Sequence, residues 1–272
     1  MGGVLMKYGL VVRDNLISLD TAAQFKKYAD KHKLVNDNKA PTIVISIGGD
    51  GTFLKAFHQY RDRLQDIAFL GIHTGHLGFY ADWQVEDLEI LTTMIANNNE
   101  FRISEYPLVK VTIYTEDSEY EVISLNEFVV KSLKKSLVMR VKINGYDFET
   151  FRGDGLCIAT PSGSTAYNKS IGGAIIHPSF ESIQLSEIAS LNNRVYRTIG
   201  SSLLLPKGQT IELLPEYEGE LSISYDHLNV KLDKIQSIKC AVADEKIRFI
   251  RYRPFPFWNR VANAFIGEQH RY

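Results

Sequence analysis

Gly48-Gly49-Asp50-Gly51-Thr52 is the stretch whose residue types and spacing most directly suggest chemistry. Small glycines let the backbone approach a ligand and turn its amides toward an anion. One carboxylate, Asp50, stands at the mouth of that cradle. The combination suits phosphoryl transfer, with Asp50 as a proton acceptor or a metal-linked group and Gly48, Gly49, Gly51 and Thr52 around the phosphate. The bland alternative is a tight turn whose Asp50 caps the next helix. The turn follows the apolar, β-branched run Thr42-Ile43-Val44-Ile45-Ser46-Ile47 and precedes Phe53-Leu54-Lys55-Ala56-Phe57, which has helical spacing. A strand must therefore deliver the turn and a helix must leave it, the place where open α/β sheets bind ligands.

Three further clusters carry the residue types of a binding site. His73-Thr74-Gly75-His76-Leu77-Gly78-Phe79-Tyr80 follows another apolar run. Its glycines and aromatics suit a loop lying over a ring. His73 and His76 have no accompanying carboxylate, so an ordinary turn is preferred to a metal site. Asn126-Glu127 follows the strand-like residues 122–125. An adjacent amide and carboxylate suit the two hydroxyls of a ribose, with a solvated strand end as the alternative. Arg152-Gly153-Asp154-Gly155 precedes Thr160-Pro161-Ser162-Gly163-Ser164-Thr165-Ala166-Tyr167. A helix candidate over residues 164–172 would offer free amides to polar groups, and Tyr167 would cover an aromatic base. There is no G-x-x-x-x-G-K-[ST] loop, no G-x-G-x-x-G after the first strand, no H-E-x-x-H and no protein-kinase signature.

The elements that position these clusters fall into two textures. Residues 1–102 read as β/α alternation: a strand over 8–12, a helix over 21–31 capped by Asp20, the strand 42–47, and a buried strand over 67–72. Val85, Leu88, Leu91, Met94 and Ile95 mark one helix face. Residues 103–254 read as short alternating strands, with Asn144-Gly145 as a hairpin turn, and predict an antiparallel, sandwich-like domain. A helix at 255–272 is expected to pack back on the first domain. The tail from Lys246 to Gly267, with Arg248, Arg251, Arg253 and Arg260 among aromatics, reads as a strand and a packed end helix rather than a nucleic-acid patch.

Composition removes several function classes. The chain has 272 residues, 44% of them hydrophobic, and a net charge of -1. No global basic field argues for nucleic acid. Cys157 and Cys240 are far apart, which fits a reduced, cytoplasmic setting without a zinc site. No apolar run is long enough for a membrane span, and no signal peptide opens the chain. Met6 reads as a natural start, with the preceding residues an extension.

Taken together the clusters closely resemble the NAD kinases. That family pattern runs G-G-D-G-T, T-G-x-L-G-F, Asn-Glu, R-G-D-G, then T-P-[ST]-G-[ST]-T-A-Y, and all five parts occur here in that order. The match runs from about residue 40 to the end and looks like the short bacterial type. The resemblance implies an α/β domain with a Rossmann-like parallel sheet plus an all-β domain, within the phosphofructokinase and diacylglycerol kinase superfamily. It implies conversion of NAD to NADP with ATP or another phosphoryl donor and a divalent metal, Mg2+ being expected. Asp50 would accept the proton of the adenosine 2′-hydroxyl. Asn126 and Glu127 would hold ribose hydroxyls. Phe79, Ser162, Thr165, Ala166 and Tyr167 would line the adenine pocket, with Tyr80 and His227 toward the other end of the dinucleotide. Gly51, Arg152 and Ala189 are further positions near the ligand. Asp154 is expected to reach the ligand of a neighbouring subunit in a tetramer. Asp226-His227 departs from the Asp-Gly of many members. A lipid kinase of the same superfamily and a non-catalytic nucleotide-binding module are the competing readings.

Overall fold

Continuous, mostly apolar runs build strands buried on both faces, and the centre of the first unit is made of two of them. The computed structural model describes residues 7–75, 77–97, 99–132, 135–217 and 219–267; Met6 and His76 lie outside the described residues. Two compact units divide the chain: residues up to Glu105 together with those from Ile247 onward, and Tyr106–Lys246.

The first unit begins with β1 (Lys7–Val12), α1 (Leu16–Lys31), β2 (Val35–Asn36), β3 (Ile43–Gly48), α2 (Asp50–Gln59), β4 (Ala68–His73) and α3 (Leu88–Ala96). Every residue of β3 and β4 is buried. The strands pair in parallel in the order β2-β1-β3-β4. Gly48 is level with His73 in the register, so the glycine turn and the loop from Thr74 leave the sheet at the same carboxyl edge. Phe25, Ile45, Leu70, Leu91 and Ile95 belong to its core. Asp20 does not cap α1. The helix starts earlier, and the Asn15 side chain accepts the Ser18 N–H at 2.9 Å. Capping preference alone does not separate Asn from Asp.

The second unit runs through β5 (Arg102–Thr115), β6 (Glu119–Ser124), β7 (Glu127–Ser132), β8 (Leu137–Ile143), β9 (Tyr146–Gly153), β10 (Gly155–Ala159), α4 (Tyr167–Ser170), β11 (Ser182–Ile188), β12 (Leu203–Pro206), β13 (Thr210–Pro215), β14 (Leu221–Tyr225), β15 (Leu228–Leu232) and most of β16 (Ile235–Arg251). One antiparallel sheet has the order β12-β11-β10-β7-β14-β15. A second antiparallel set links β9, β8, β13 and β16. Phe128, Val130, Leu156 and Ile158 from the first set share a core with Met139, Val141, Ile211 and Leu213 from the second. That is a sandwich of two sheets. Asn144 and Gly145 both have positive φ, which matches the twist of the β8–β9 hairpin.

The helix expected over 164–172 is broken. A 3₁₀ turn, Ser162–Thr165, and the four-residue α4 meet at Ala166, whose ψ is -132°. The Ser164 and Thr165 hydroxyls donate to the Pro161 and Ser162 carbonyls, the local competition that disfavours a regular helix here. The chain returns to the first unit through the end of β16, where Phe249 pairs with Phe69 of β4, and closes with α5 (Phe257–Phe265).

Candidate active site

In the first unit the glycine turn sits at the start of α2. Gly49 is the N-cap and makes no side-chain cap, and Asp50 is the first helical residue. Asp50 is therefore not a helix cap. Its carboxylate instead accepts the Phe79 N–H at 2.9 Å and the Tyr80 N–H at 3.2 Å. A β-carbon on Gly78 would overlap that carboxylate, which is why the loop has glycine there. Gly49 and Gly51 have open space where a side chain would lie, at the N-terminus of α2, the kind of place where backbone amides bind anions. Asp50 is half-buried and Thr52 is buried.

Phe79 and Tyr80 divide differently from the expectation. The Tyr80 ring is buried, stacked on Phe53 at 4.9 Å and on Phe249 at 6.0 Å. Its amide is the part that reaches Asp50. Phe79 stays half-buried, with Phe257 and Phe265 of α5 at 6.3 and 6.0 Å. His73 turns its Nδ1 to the Gly75 carbonyl at 3.0 Å. Among the described residues no group of three His, Cys, Asp or Glu side chains converges on a metal position.

In the second unit Asn126 and Glu127 lie where β6 passes into β7, and Glu127 opens β7 rather than trailing a strand. Both are buried. Two distant segments clamp them. The Asp226 carboxylate accepts the Leu125 N–H at 3.0 Å and the Asn126 N–H at 2.6 Å, and the Asp226 N–H donates to the Glu127 carbonyl at 3.0 Å. From the other side Thr160 and Ser162 hydroxyls donate to the Leu125 carbonyl at 2.5 and 3.0 Å. Gly163 is pressed against the Asn126 backbone, with no room for a β-carbon. Asp226 holds φ at 51°, a left-handed conformation tolerated by Asp.

The Glu127 carboxyl has an unusual environment. Burial first, then the charge of Asp226, pushes it from the ordinary 4.5 up to about 8, against the Tyr167 N–H that draws it down. Its Oε2 is buried without a hydrogen-bond partner among the described residues. Tyr167 is half-buried, and its hydroxyl takes a hydrogen bond from Lys131 at 2.7 Å. The Ser162 and Thr165 side chains bond to the backbone, and Ala166 is half-buried beside them.

Around the β9–β10 corner, Asp154 is exposed and Arg152 lies over the Tyr196 ring at 4.1 Å. Ala189 is exposed with φ 47° and lines a polar cavity of about 470 Å³ with Glu187 and Ser202. His227 is exposed at the β14–β15 turn. Sequence reasoning missed Lys131, the anchoring by Asp226 and one acid pair. Glu149 accepts the Ile199 N–H at 2.7 Å and Glu187 accepts the Thr198 hydroxyl at 2.8 Å. Burial first, and the Glu187 charge with it, pushes Glu149 to about 7. Alternation along β9 hides this pair, because its partner lies on β11.

The ATP-NAD kinase N-terminal domain matches residues 12–101 and the C-terminal domain matches residues 125–252. The chain is 52% identical over 265 residues to NAD kinase 1 of Halalkalibacterium halodurans, covering 97% of this chain and 100% of that one. It is 49% identical to NAD kinase 1 of Bacillus subtilis, covering 97% and 99%. Solved structures share the fold at low identity. A yeast NADH kinase complexed with NADH superposes with a TM-score of 0.84 at 16% identity, covering 99% of this chain and 89% of that one. An Archaeoglobus fulgidus NAD kinase in complex with ATP gives 0.74 at 20% identity, covering 96% and 98%. On these matches, over nearly its whole length, the chain belongs to the NAD kinase family, enzymes that phosphorylate NAD.

Proposed function

We propose that the chain transfers the γ-phosphate of ATP to the 2′-hydroxyl of the adenosine ribose of NAD, with Asp50 as proton acceptor. The observation that carries this reading is Asp50 itself, anchored by two amides beside a glycine turn with open space around it. A carboxylate has about four acceptor positions, so two N–H bonds leave room for a hydroxyl. The 2′-oxygen forms the new P–O bond as its proton passes to Asp50, and the bond to the leaving ADP oxygen breaks. General-base help of this kind contributes roughly 10²–10⁴-fold. The glycine-turn amides and the α2 N-terminus bind phosphate charge.

A divalent cation supplies charge neutralisation on the phosphates when bound. The described residues make no protein cage for it. That suits an ion such as Mg2+ held mainly by phosphates and water. Asn126 and Glu127 take ribose hydroxyls, and Tyr167, Ser162, Thr165, Ala166 and Phe79 serve the adenine. Glu127, neutral below about pH 8, serves as a donor through the proton on its carboxyl. Exposed Asp154 is available to a neighbouring subunit, which supports a shared site in a homotetramer. Incubation of the pure protein with ATP, Mg2+ and NAD is expected to yield NADP. A lipid kinase would phosphorylate diacylglycerol instead, and a sensing module would bind NAD without turnover.

A further inference from the structure

The arginines of the tail are engaged in bonds within the first unit. Arg248 donates to the Ile67 carbonyl at 3.0 and 3.1 Å. Arg251 bonds Asp82, and Arg253 bonds Asp87 at 2.5 Å while lying over Trp83 at 3.8 Å. Arg260, on α5, does something different. Its Nη1 donates to the Gly78 carbonyl at 2.9 Å and the Ala81 carbonyl at 2.6 Å, and its Nη2 to Asp82 at 2.6 Å.

The Gly78 carbonyl and the Phe79 N–H belong to one planar peptide group. Arg260 holds its oxygen end, and Asp50 accepts from its nitrogen end at 2.9 Å. The next amide, Tyr80 N–H, also bonds Asp50, and the Ala81 carbonyl that follows is again held by Arg260. Phe257 and Phe265, on the same helix as Arg260, pack near the Phe79 ring. We propose that Arg260 is a positioning residue for Asp50, acting from α5 through the 78–82 loop. A charged donor on the carbonyl polarises the peptide toward the carboxylate on its far side, so the two hydrogen bonds reinforce one another. The planar guanidinium serves two carbonyls from Nη1 and a carboxylate from Nη2 in one fixed fork, whereas a lysine ammonium carries all its donors on a single nitrogen. The buried Asp82 carboxylate between Arg251 and Arg260 offsets part of their charge.

The proposal rests on the reading of Asp50 as proton acceptor, so the test has one arm with substrate and one without. In the free protein, hydrogen exchange at the Phe79 and Tyr80 amides is measured for wild type, Arg260→Lys and Arg253→Ala, each below its melting temperature. Arg260→Lys is expected to speed exchange at both amides at least about tenfold, since the loop opens locally. Its kcat for NADP formation should fall on the order of 10²-fold through misplacement. The KM for NAD should move less than about threefold, because the loss lies in the transition state. Arg253→Ala removes a tail arginine that does not touch the 78–82 carbonyls. It should lower thermal stability and leave kcat and both amides as they are. Guanidinium ions added to folded Arg260→Ala should restore part of kcat. Protected amides and a normal kcat in Arg260→Lys overturn the proposal, and so does an equal kcat loss in Arg253→Ala. Should Asp50→Asn stay active, the assignment of Asp50 fails, while the exchange arm still reports whether Arg260 holds the loop.

Discussion

Asp50 of the first unit and Glu127 of the second are carboxylates that the proposed reaction uses, and they are built in opposite ways. Asp50 is half-buried, with each oxygen taking a backbone N–H. Glu127 is buried, with one oxygen unpartnered and the Asp226 charge beside it. Preorganised amides suit an acceptor. A desolvated carboxyl next to another acid suits a donor. The difference teaches that the same functional group is assigned its task by its surroundings, one at the end of a parallel sheet and one in an antiparallel sandwich.

The largest expected effect comes from removing the acceptor. Asp50→Asn keeps size but removes the basic oxygen, and kcat should fall by roughly 10²-fold or more while NAD still binds. Paired steady-state kinetics and calorimetric NAD titration check this; a near-normal kcat would erase the contrast between the two acids.

Tyr167→Ala tests the sandwich half of the comparison. Loss of an aromatic face against a base costs about 1–3 kcal/mol. The KM for NAD should rise about tenfold to a hundredfold, with kcat changed less. Lowered melting temperature with unchanged KM would make Tyr167 a packing residue instead.

Asp226→Asn removes the charge that props up Glu127 and replaces one anchoring acceptor of the 125–127 segment. A hydrogen bond to a charged group contributes about 1.5–3 kcal/mol. The KM for NAD should rise about tenfold, by the same conversion. The Glu127 carboxyl should titrate at lower pH, as carbon-13 carboxyl shifts would report. An unmoved titration would leave desolvation alone to account for Glu127.

Glu127→Gln is the mildest change, because glutamine mimics the neutral acid. Near pH 7 the KM for NAD should stay within about threefold. The pH response sharpens the test. In wild type, kcat/KM for NAD should fall as pH rises through about 8, where Glu127 ionises, and the substitution should flatten that limb. Stability follows with a definite sign. Between the ordinary 4.5 and about 8 the unfolded chain binds fewer protons at this site than the folded one. Stability therefore declines as pH rises across that window, with no further change above it. Denaturant titrations of Glu127→Gln should lose that decline. A kcat/KM for NAD that instead rises through pH 8 would mean the ionised form is the one that binds.

By itself the sequence determined what is local. Apolar runs alternating with short periodic helices declared the parallel sheet, and Asn144-Gly145 declared its hairpin. The strand–glycine–helix succession placed Asp50 at the carboxyl edge, because each of these depends on neighbours within a few residues. The order of five motifs identified the family for the same reason. Only the tertiary structure decided what holds those motifs in place. Asp50 is bonded to amides 29 and 30 residues away. Asp226 reaches the Asn126 segment across 100 and 101 residues, and Arg260 reaches Gly78 across 182. It turned the Tyr80 ring into the core, broke the helix at Ala166 and engaged the tail arginines within the first unit. Periodicity and propensity record which face of an element is buried. They do not record which distant carbonyl a buried donor will find, since that partner is chosen when burial presses most polar groups to be satisfied.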